Sequence, residues 1–529
     1  MRIRSILIAV SILAAAYSAA GQDNSGIKDY ALARDCNPYL FLSNSAFLDT
    51  FQGRIATMDL TGRKENGKLV SLNQSPDSYT VGAGTESFLR LSRKLTFFGK
   101  VRWQYFSGKE MGGQVLINPG YNPVNFLEST EDTKGIKKRE TYNFRGGLSY
   151  KLGNRWAAGI DLDYTSADQT KIKDPRFSNI WMDVDLNTGI SFKAGERLML
   201  GVSLKYRNTI ETVKGGIFGT TDKQYFILTD KGGFLGTRSE LAGDYNYLPD
   251  NTARPMNNRF IGGAFQFVFD NKFSSELWTR IRDGYYGRKS STTAVFFEFG
   301  GLEAGYKGKL LLSSGKNLHA FAFNAGIETL TNNENRFEYV TPTGKNTIVK
   351  YNGQDKVFNR TVLGGNLSYT WYKGTGGYKP KMAAGISIDG NYRTQKTTLY
   401  PFYRIQDVNS FGVDIFGQYN MASGSKLMFS LETHALAGGG AGVANKDGKE
   451  VEASSSTIRS FDNYLNRQFE FETAMRAGGE ISFGCHWFAC PAWVLYVKVS
   501  DRYISVLSAP QYLEGGNRNT ATLTLGCNF

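Results

Sequence analysis

Past residue 21 the 529-residue sequence has no apolar run of the ~20 residues that a membrane-spanning helix needs, which excludes a helical membrane protein but not a membrane location. Proline is scarce, at 12. A chain built mostly of hydrogen-bonded strands requires this, because a residue without an N–H fits only edges and bulges. Only three histidines are present, which leaves little for acid–base or metal chemistry. The glycine-rich stretch 438–442 lacks the lysine and the strand-to-helix setting of a phosphate loop, and reads as flexible loop. The formal charge of +14 is spread along the chain and forms no basic block. Nucleic-acid binding therefore has little support, and attraction to anionic lipid heads or anionic solutes is the better use of the excess.

Glycine (60) and aromatic residues (14%) are abundant, and the mean hydropathy is −0.34. Strands that alternate apolar and polar residues never read as hydrophobic on average, so these values suit a β-barrel. At the start, Arg2 and Arg4 precede an apolar run over residues 5–17 that ends in Ser18-Ala19-Ala20-Gly21. This is a secretory signal peptide by pattern, with cleavage expected after Gly21. Residues 22–53 do not alternate. Tyr39, Leu40, Phe41, Phe47, Leu48 and Phe51 sit there among Ser and Asn, which favours a small plug-like segment inserted in a lumen over a loose tail.

From residue 54 to 529 the chain becomes a series of hairpins. Tight connections occur at Ser92-Arg93-Lys94, Gly153-Asn154, Ala194-Gly195-Glu196, Asp270-Asn271-Lys272, Ser313-Ser314-Gly315-Lys316 and Ser423-Gly424-Ser425. Between them Trp156, Ala158, Ile160, Leu162 and Tyr164 interleave with Asp161 and Asp163, and many other runs repeat the period of two. Soluble β-sandwiches alternate too, so two further features decide. Aromatics recur near strand ends (Tyr150, Trp156, Tyr164, Trp371, Tyr372, Tyr419, Trp493), as an interfacial girdle would place them. Short turns also alternate with long connections near 108–140, 210–258, 332–357 and 438–468. Eight short-turned hairpins, near 93, 153, 195, 271, 315, 376, 424 and 487, plus a first and a last strand give 18 strands, with 16 as the alternative. The expected fold is an all-β transmembrane antiparallel barrel with short periplasmic turns and long extracellular loops.

By phase, Lys100, Arg102, Arg145, Lys205, Arg207 and Arg476 point into the lumen, as do Asp161, Asp163, Asp185, Glu432, Glu470, Glu472 and Glu480. Such mixed charge either lines an aqueous channel or forms an ion-pair network that fills it. His434 shares a face with Ser430 and Glu432, but Ser430 lies about 13 Å away along the strand, too far for a nucleophile and its base. The four cysteines fit an oxidising compartment. Cys485 and Cys490 are expected to flank a short turn and bridge across it, and Cys36 and Cys527 to meet at the periplasmic end. Cys485, His486 and Cys490 match no common metal-site spacing. A short helix is expected near 457–468, with Phe461, Tyr464 and Leu465 on its apolar side.

The last ten residues set Leu523, Leu525 and Phe529 on one face of a strand that stops on the aromatic. This resembles the C-terminal assembly signal of bacterial outer-membrane proteins. With the export signal and the hairpins, nearly the whole chain after Gly21 resembles outer-membrane β-barrel proteins of Bacteroidota, in a family catalogued without an assigned function. The resemblance implies an integral outer-membrane location, contact with outer-membrane lipid and insertion by the barrel-assembly machinery through the last strand. It implies no catalytic residue and no cofactor. Residues 22–53 are too few for the plug domain of a TonB-dependent receptor. Two functions stay open: a channel or transport accessory for small hydrophilic or anionic solutes, working alone or beside an uptake receptor or surface lipoprotein, and a recognition barrel whose outer loops bind a partner protein or glycan.

Overall fold

In the computed structural model, the described residues are 29–128, 131–219, 223–241, 247–248, 253–448, 461–490 and 492–529. The expected signal peptide and residues 22–28 lie outside them.

Eighteen antiparallel strands form one sheet in which every strand pairs with its sequence neighbours. The sheet closes because the first barrel strand, Arg54–Asn66, pairs with the last, Asn517–Asn528, as well as with the second, Asp77–Arg90. Closure leaves no edge with unpaired backbone groups, which is the condition for a sheet to sit in hydrocarbon. The terminal residue completes the seam. Phe529 exchanges backbone hydrogen bonds with Ala56 at 2.7 and 2.9 Å, and its ring stacks on Trp493 at 5.0 Å.

The period of two sorts each strand into two faces. Outward go Leu60, Ile160, Leu204, Ile281, Leu302, Leu523 and Leu525, all substantially exposed. A continuous apolar belt of this size needs a nonaqueous neighbour. Tyr150, Trp156, Tyr419 and Trp493 are exposed near strand ends, as a girdle requires. Tyr372 departs from that expectation, because it borders an interior cavity.

One end of the barrel has only short turns and the other carries the long connections. Three details differ from the sequence reading. Much of 332–357 is strand, in a hairpin of Asn317–Val340 and Ile348–Lys373. The glycine-rich stretch 438–442 is likewise part of a strand, Leu427–Asp447, and not a loop. A Cβ on Gly440 would lie 3.1 Å from Ser410 Cα of the paired strand, so a small residue lets the two backbones approach. The strand Arg476–Cys490 runs straight through the expected turn, and the next begins at Trp493.

That last difference removes the expected Cys485–Cys490 bridge. Five residues along one extended strand span about 16 Å, whereas a disulfide needs Cα atoms within roughly 7 Å. Among the described residues no disulfide joins Cys36, Cys485, Cys490 or Cys527, so the Cys36–Cys527 bond is not formed either.

At the long-loop end the connections fold inward. Asn125–Glu128, Phe226–Asp230 and Gly236–Glu240 form a three-stranded antiparallel sheet of their own. Its apolar side chains, among them Phe126 and Ile227, pack with inward residues of the wall such as Phe177, Met256, Tyr286 and Phe297. The helix Asp462–Thr473 covers the other side through Phe461, Tyr464 and Leu465, which meet Leu127, Leu228 and Phe234. Each large side chain buried this way stabilises the roof by roughly 1.5–3 kcal/mol, set against the cost of ordering the loop.

Candidate functional site

Two elements enter the lumen. The first is residues 29–53. Asp29 caps the helix Tyr30–Asp35 by accepting the Leu32 N–H at 3.1 Å, and Asn44 caps the 3-10 turn Ser45–Thr50 by accepting the Ala46 N–H at 3.0 Å. The Asn44 amide also donates to the carbonyls of Ile190 and Val202, at 3.1 and 3.3 Å, and to Gln266 Oε1 at 3.2 Å. Ser149 Oγ donates to the Ala46 carbonyl at 3.0 Å. Glu276, fully buried, accepts the Ser43 N–H at 2.8 Å and its hydroxyl at 2.6 Å, while Lys205 and Lys307 stand 3.5 and 3.6 Å from the same carboxylate.

Three glycines on consecutive wall strands make room for this turn. A Cβ on Gly159 would lie 2.7 Å from Ala46 Cα, one on Gly189 2.7 Å from Asn44 Cγ, and one on Gly201 2.5 Å from the Phe47 ring. The wall is therefore notched where the segment docks. Phe47 and Ala46 are completely buried there. Leu48 and Phe51 join Tyr30, Ile55, Phe88 and Phe98 in an apolar cluster on the adjoining wall.

The second element is the roof, held by buried charge. Arg404 is 1% exposed and reaches Asp447 through two hydrogen bonds of 2.7 Å, Asp462 at 2.9 Å and the Phe234 carbonyl at 3.1 Å. One guanidinium thus joins the wall, the loop helix and the three-stranded sheet. Lys171 and Glu128 form a second pair, both buried. Burial pushes the Asp230 carboxyl up to about 7, against the opposing pull of the Gly232 N–H that it accepts at 2.9 Å.

Between these elements most inward charges are paired. Arg145 meets Asp161 at 3.1 Å and Asp163 at 4.0 Å, and Arg207 holds Asp183 at 2.6 Å. Arg102 lies 3.4 Å from Asp59, and Asp185 accepts the Asn187 amide at 3.0 Å. Glu432 contacts Lys498 at 3.1 Å and His434 at 2.9 Å, with Asp414 on the other ring nitrogen at 2.9 Å. His434 is thus held between two carboxylates, while the Ser430 hydroxyl donates to Asn420. Lys100 lies on the inward face opposite Glu86 and Arg145. Arg476 donates to the carbonyls of Ala474 and Phe471, and Glu480 accepts the Ser482 hydroxyl at 3.3 Å.

Two of the expected lumen residues come from the infolded roof and not from the wall. Glu470 and Glu472 belong to the loop helix and not to a strand, so period two does not apply to them. Glu470 accepts the backbone N–H groups of Gln511, Tyr512 and Leu513 at 2.6–2.8 Å, and Glu472 pairs with Arg393 at 2.7 Å. Sequence reasoning missed Arg404, Asn44 and Glu276. Of these only Asn44 carried a local signal, as a cap before Ser45.

The interior keeps polar cavities. One of about 470 Å³ lies beside the N-terminal helix and includes Arg34, Asp59, Glu432, His486 and Lys498. One of about 270 Å³ opens at the short-turn mouth, past Tyr39 and Asp49. Another of about 270 Å³ lies in the long-loop half, against Arg63, Lys137, Arg139 and Arg518.

A closed 18-stranded antiparallel barrel with an apolar outer belt and an occupied polar interior belongs to the class of outer-membrane-type barrels. The chain is a member of a family of unknown function, DUF6850, whose model matches residues 45–529. No curated protein matches it. Among solved structures it is similar to a mutant of the ferric enterobactin receptor PfeA from Pseudomonas aeruginosa (8% identity, 90% of this chain and 81% of that one, TM-score 0.39). It is also similar to the siderophore receptor PiuA from Acinetobacter baumannii (7%, 90% and 82%, 0.36) and to a Pseudomonas aeruginosa FadL homologue (9%, 96% and 99%, 0.33).

Proposed function

We propose that the protein is an outer-membrane barrel, closed at rest, that admits small hydrophilic or anionic solutes. In this reading the short-turn end is periplasmic, residues 29–53 act as its stopper, and the infolded roof covers the outer half. The last strand is the part read by the assembly machinery, and origin in Bacteroidota rests on the sequence resemblance alone. One observation carries the proposal. The lumen is filled by two tethered pieces, docked through apolar clusters and polar contacts and bordered by polar cavities, and not by side chains of the wall packing against one another. Pieces held this way can leave while the barrel stays closed on itself.

The test is uptake into proteoliposomes of the purified variant that lacks residues 22–53 and carries Arg404→Ala, in which both lumen pieces are released, with inorganic phosphate, a hexose and a hexose phosphate as solutes. Saturable uptake of at least one of them above protein-free vesicles is expected. Uptake indistinguishable from empty vesicles would overturn the transport reading.

A recognition role has one observation in its favour. The hairpin of Asn317–Val340 and Ile348–Lys373 has strands of 24 and 26 residues, far beyond the ~9–11 needed to cross a bilayer. Its tip exposes Tyr339, Ile348 and Tyr351.

A further inference from the structure

The cavity in the long-loop half has an uneven charge balance. Four cations, Arg63, Lys137, Arg139 and Arg518, border it, and Glu65 is the one carboxylate among its lining residues. Glu65 is already shared. Arg63 and Arg518 each stand 3.4 Å from it, and Arg518 spends another N–H on the Ser75 carbonyl at 3.1 Å. Lys137 is buried and donates to the Gln114 carbonyl, with no carboxylate among the described residues in ion-pair contact. The Arg139 guanidinium lies over the Phe106 ring at 5.4 Å and makes no hydrogen bond or ion pair with any described residue. The nearby Glu211 accepts instead from the Ile117 N–H and the Asn179 amide. Gln114, also buried at this cavity, keeps its side-chain oxygen without a partner.

Elsewhere in the lumen the guanidinium groups of Arg145, Arg207, Arg280, Arg360 and Arg393 each face a carboxylate. Arg282 and Arg476 also lack a carboxylate, but they donate to Asn258 and to backbone carbonyls, so Arg139, with no acceptor among the described residues, marks where charge is left to be neutralised from outside. A buried charge without a partner is costly, whereas a guanidinium that gains an oxyanion forms the strongest class of hydrogen bond. We propose that this cavity is a binding site for a small organic oxyanion, a phosphate, sulfate or carboxylate ester or acid of roughly monosaccharide size. Arg139 is its principal ligand, and Arg63 and Arg518 are shared between the solute and Glu65. The volume of about 270 Å³ sits at the small end of ligand pockets. Gln74, Gln104 and Gln169 offer amides suited to the hydroxyl-bearing part of the solute. The proposal rests on the transport reading for its biological use, and not for the binding itself.

The experiment is calorimetric titration of the intact, detergent-solubilised protein with inorganic phosphate, sulfate and a hexose phosphate. Heat-dependent gel migration checks that each variant is a folded barrel. Binding of at least one anion is expected, with affinity falling as sodium chloride is raised. Arg139→Gln should weaken it about tenfold or more, as expected for loss of a charged hydrogen bond. Arg139→Lys should retain part of the affinity, and Lys345→Gln, on an exposed outer turn, should leave it unchanged. Should Arg139→Gln not fold, Arg63→Gln serves in its place, with a smaller loss expected. Absence of heat with all three anions, or affinity equal in Arg139→Gln and the parent, would overturn the site. Binding without uptake would contradict the transport reading and leave the site standing. Uptake that Arg139→Gln does not alter, in a protein that binds no anion, would do the reverse.

Discussion

A barrel carrying Gly159→Val is expected to fold and insert normally and yet to release residues 43–50 from its wall. The added Cβ would stand 2.7 Å from Ala46 Cα, a backbone atom that cannot swing aside as a long side chain could. The wall strand is fixed by ladders on both sides, from Gly159 to Ser149 and to Gly189, so the docked turn must move. When it moves, Phe47 leaves a completely buried position. Exposing a phenylalanine of this kind costs ~3–5 kcal/mol by analogy with truncation in a core, enough to shift a docking equilibrium by a hundredfold or more. The measurement is thiol labelling of Ser45→Cys in a background where Cys36, Cys485, Cys490 and Cys527 are replaced by serine. Labelling should be slow while Gly159 is kept, and faster by at least tenfold once Gly159→Val is added. Equal rates would mean that the turn is not docked on this wall.

The second large effect concerns the roof. Arg404→Ala leaves Asp447 and Asp462 without their shared cation and the Phe234 carbonyl without its donor. Breaking a fully buried ion pair costs ~3–5 kcal/mol, and less here because Asp462 is 36% exposed. The barrel ladders do not depend on Arg404, so the loss falls on the docking of the helix Asp462–Thr473 and of the turn at Phe234. Limited proteolysis from the outer side should cut within 461–475 or 226–241 several times faster in the variant, while the strands stay protected. Unchanged cleavage, or global loss of the barrel, would contradict this division of labour.

The sequence makes the barrel legible and the lumen opaque, for a physical reason. Lipid demands a strict alternation on every strand, so Leu523 and Leu525 could be assigned an outward face, and Asp161 and Arg145 an inward one, from parity alone. Tight turns such as Asp270-Asn271-Lys272 carry their own chemistry, with Asp270 and Asn271 both at positive φ. The roof has no period to read. Leu127, Leu228 and Tyr464 come from three separate connections, and nothing local in any of them specifies that they meet in the barrel mouth. Parity also misleads where a helix replaces a strand, as with Glu470 and Glu472. The segment Cys485–Cys490 misled in the opposite way, because its alternation suits a continuing strand as well as a turn. Nor could the sequence distinguish a paired cation from an unpaired one. Arg207 and Arg139 look alike until Asp183 is found beside the first and no carboxylate of a described residue in contact with the second.

A lumen closed at rest by two separable pieces is central to the proposed function. Single-channel recording in a planar bilayer tests this most directly, comparing the intact protein with a variant that lacks residues 22–53 and carries Arg404→Ala. Silence from the intact protein and discrete current steps from the released variant are the predicted result. Steady current through the intact protein, or silence from a released variant shown to be folded, would contradict it.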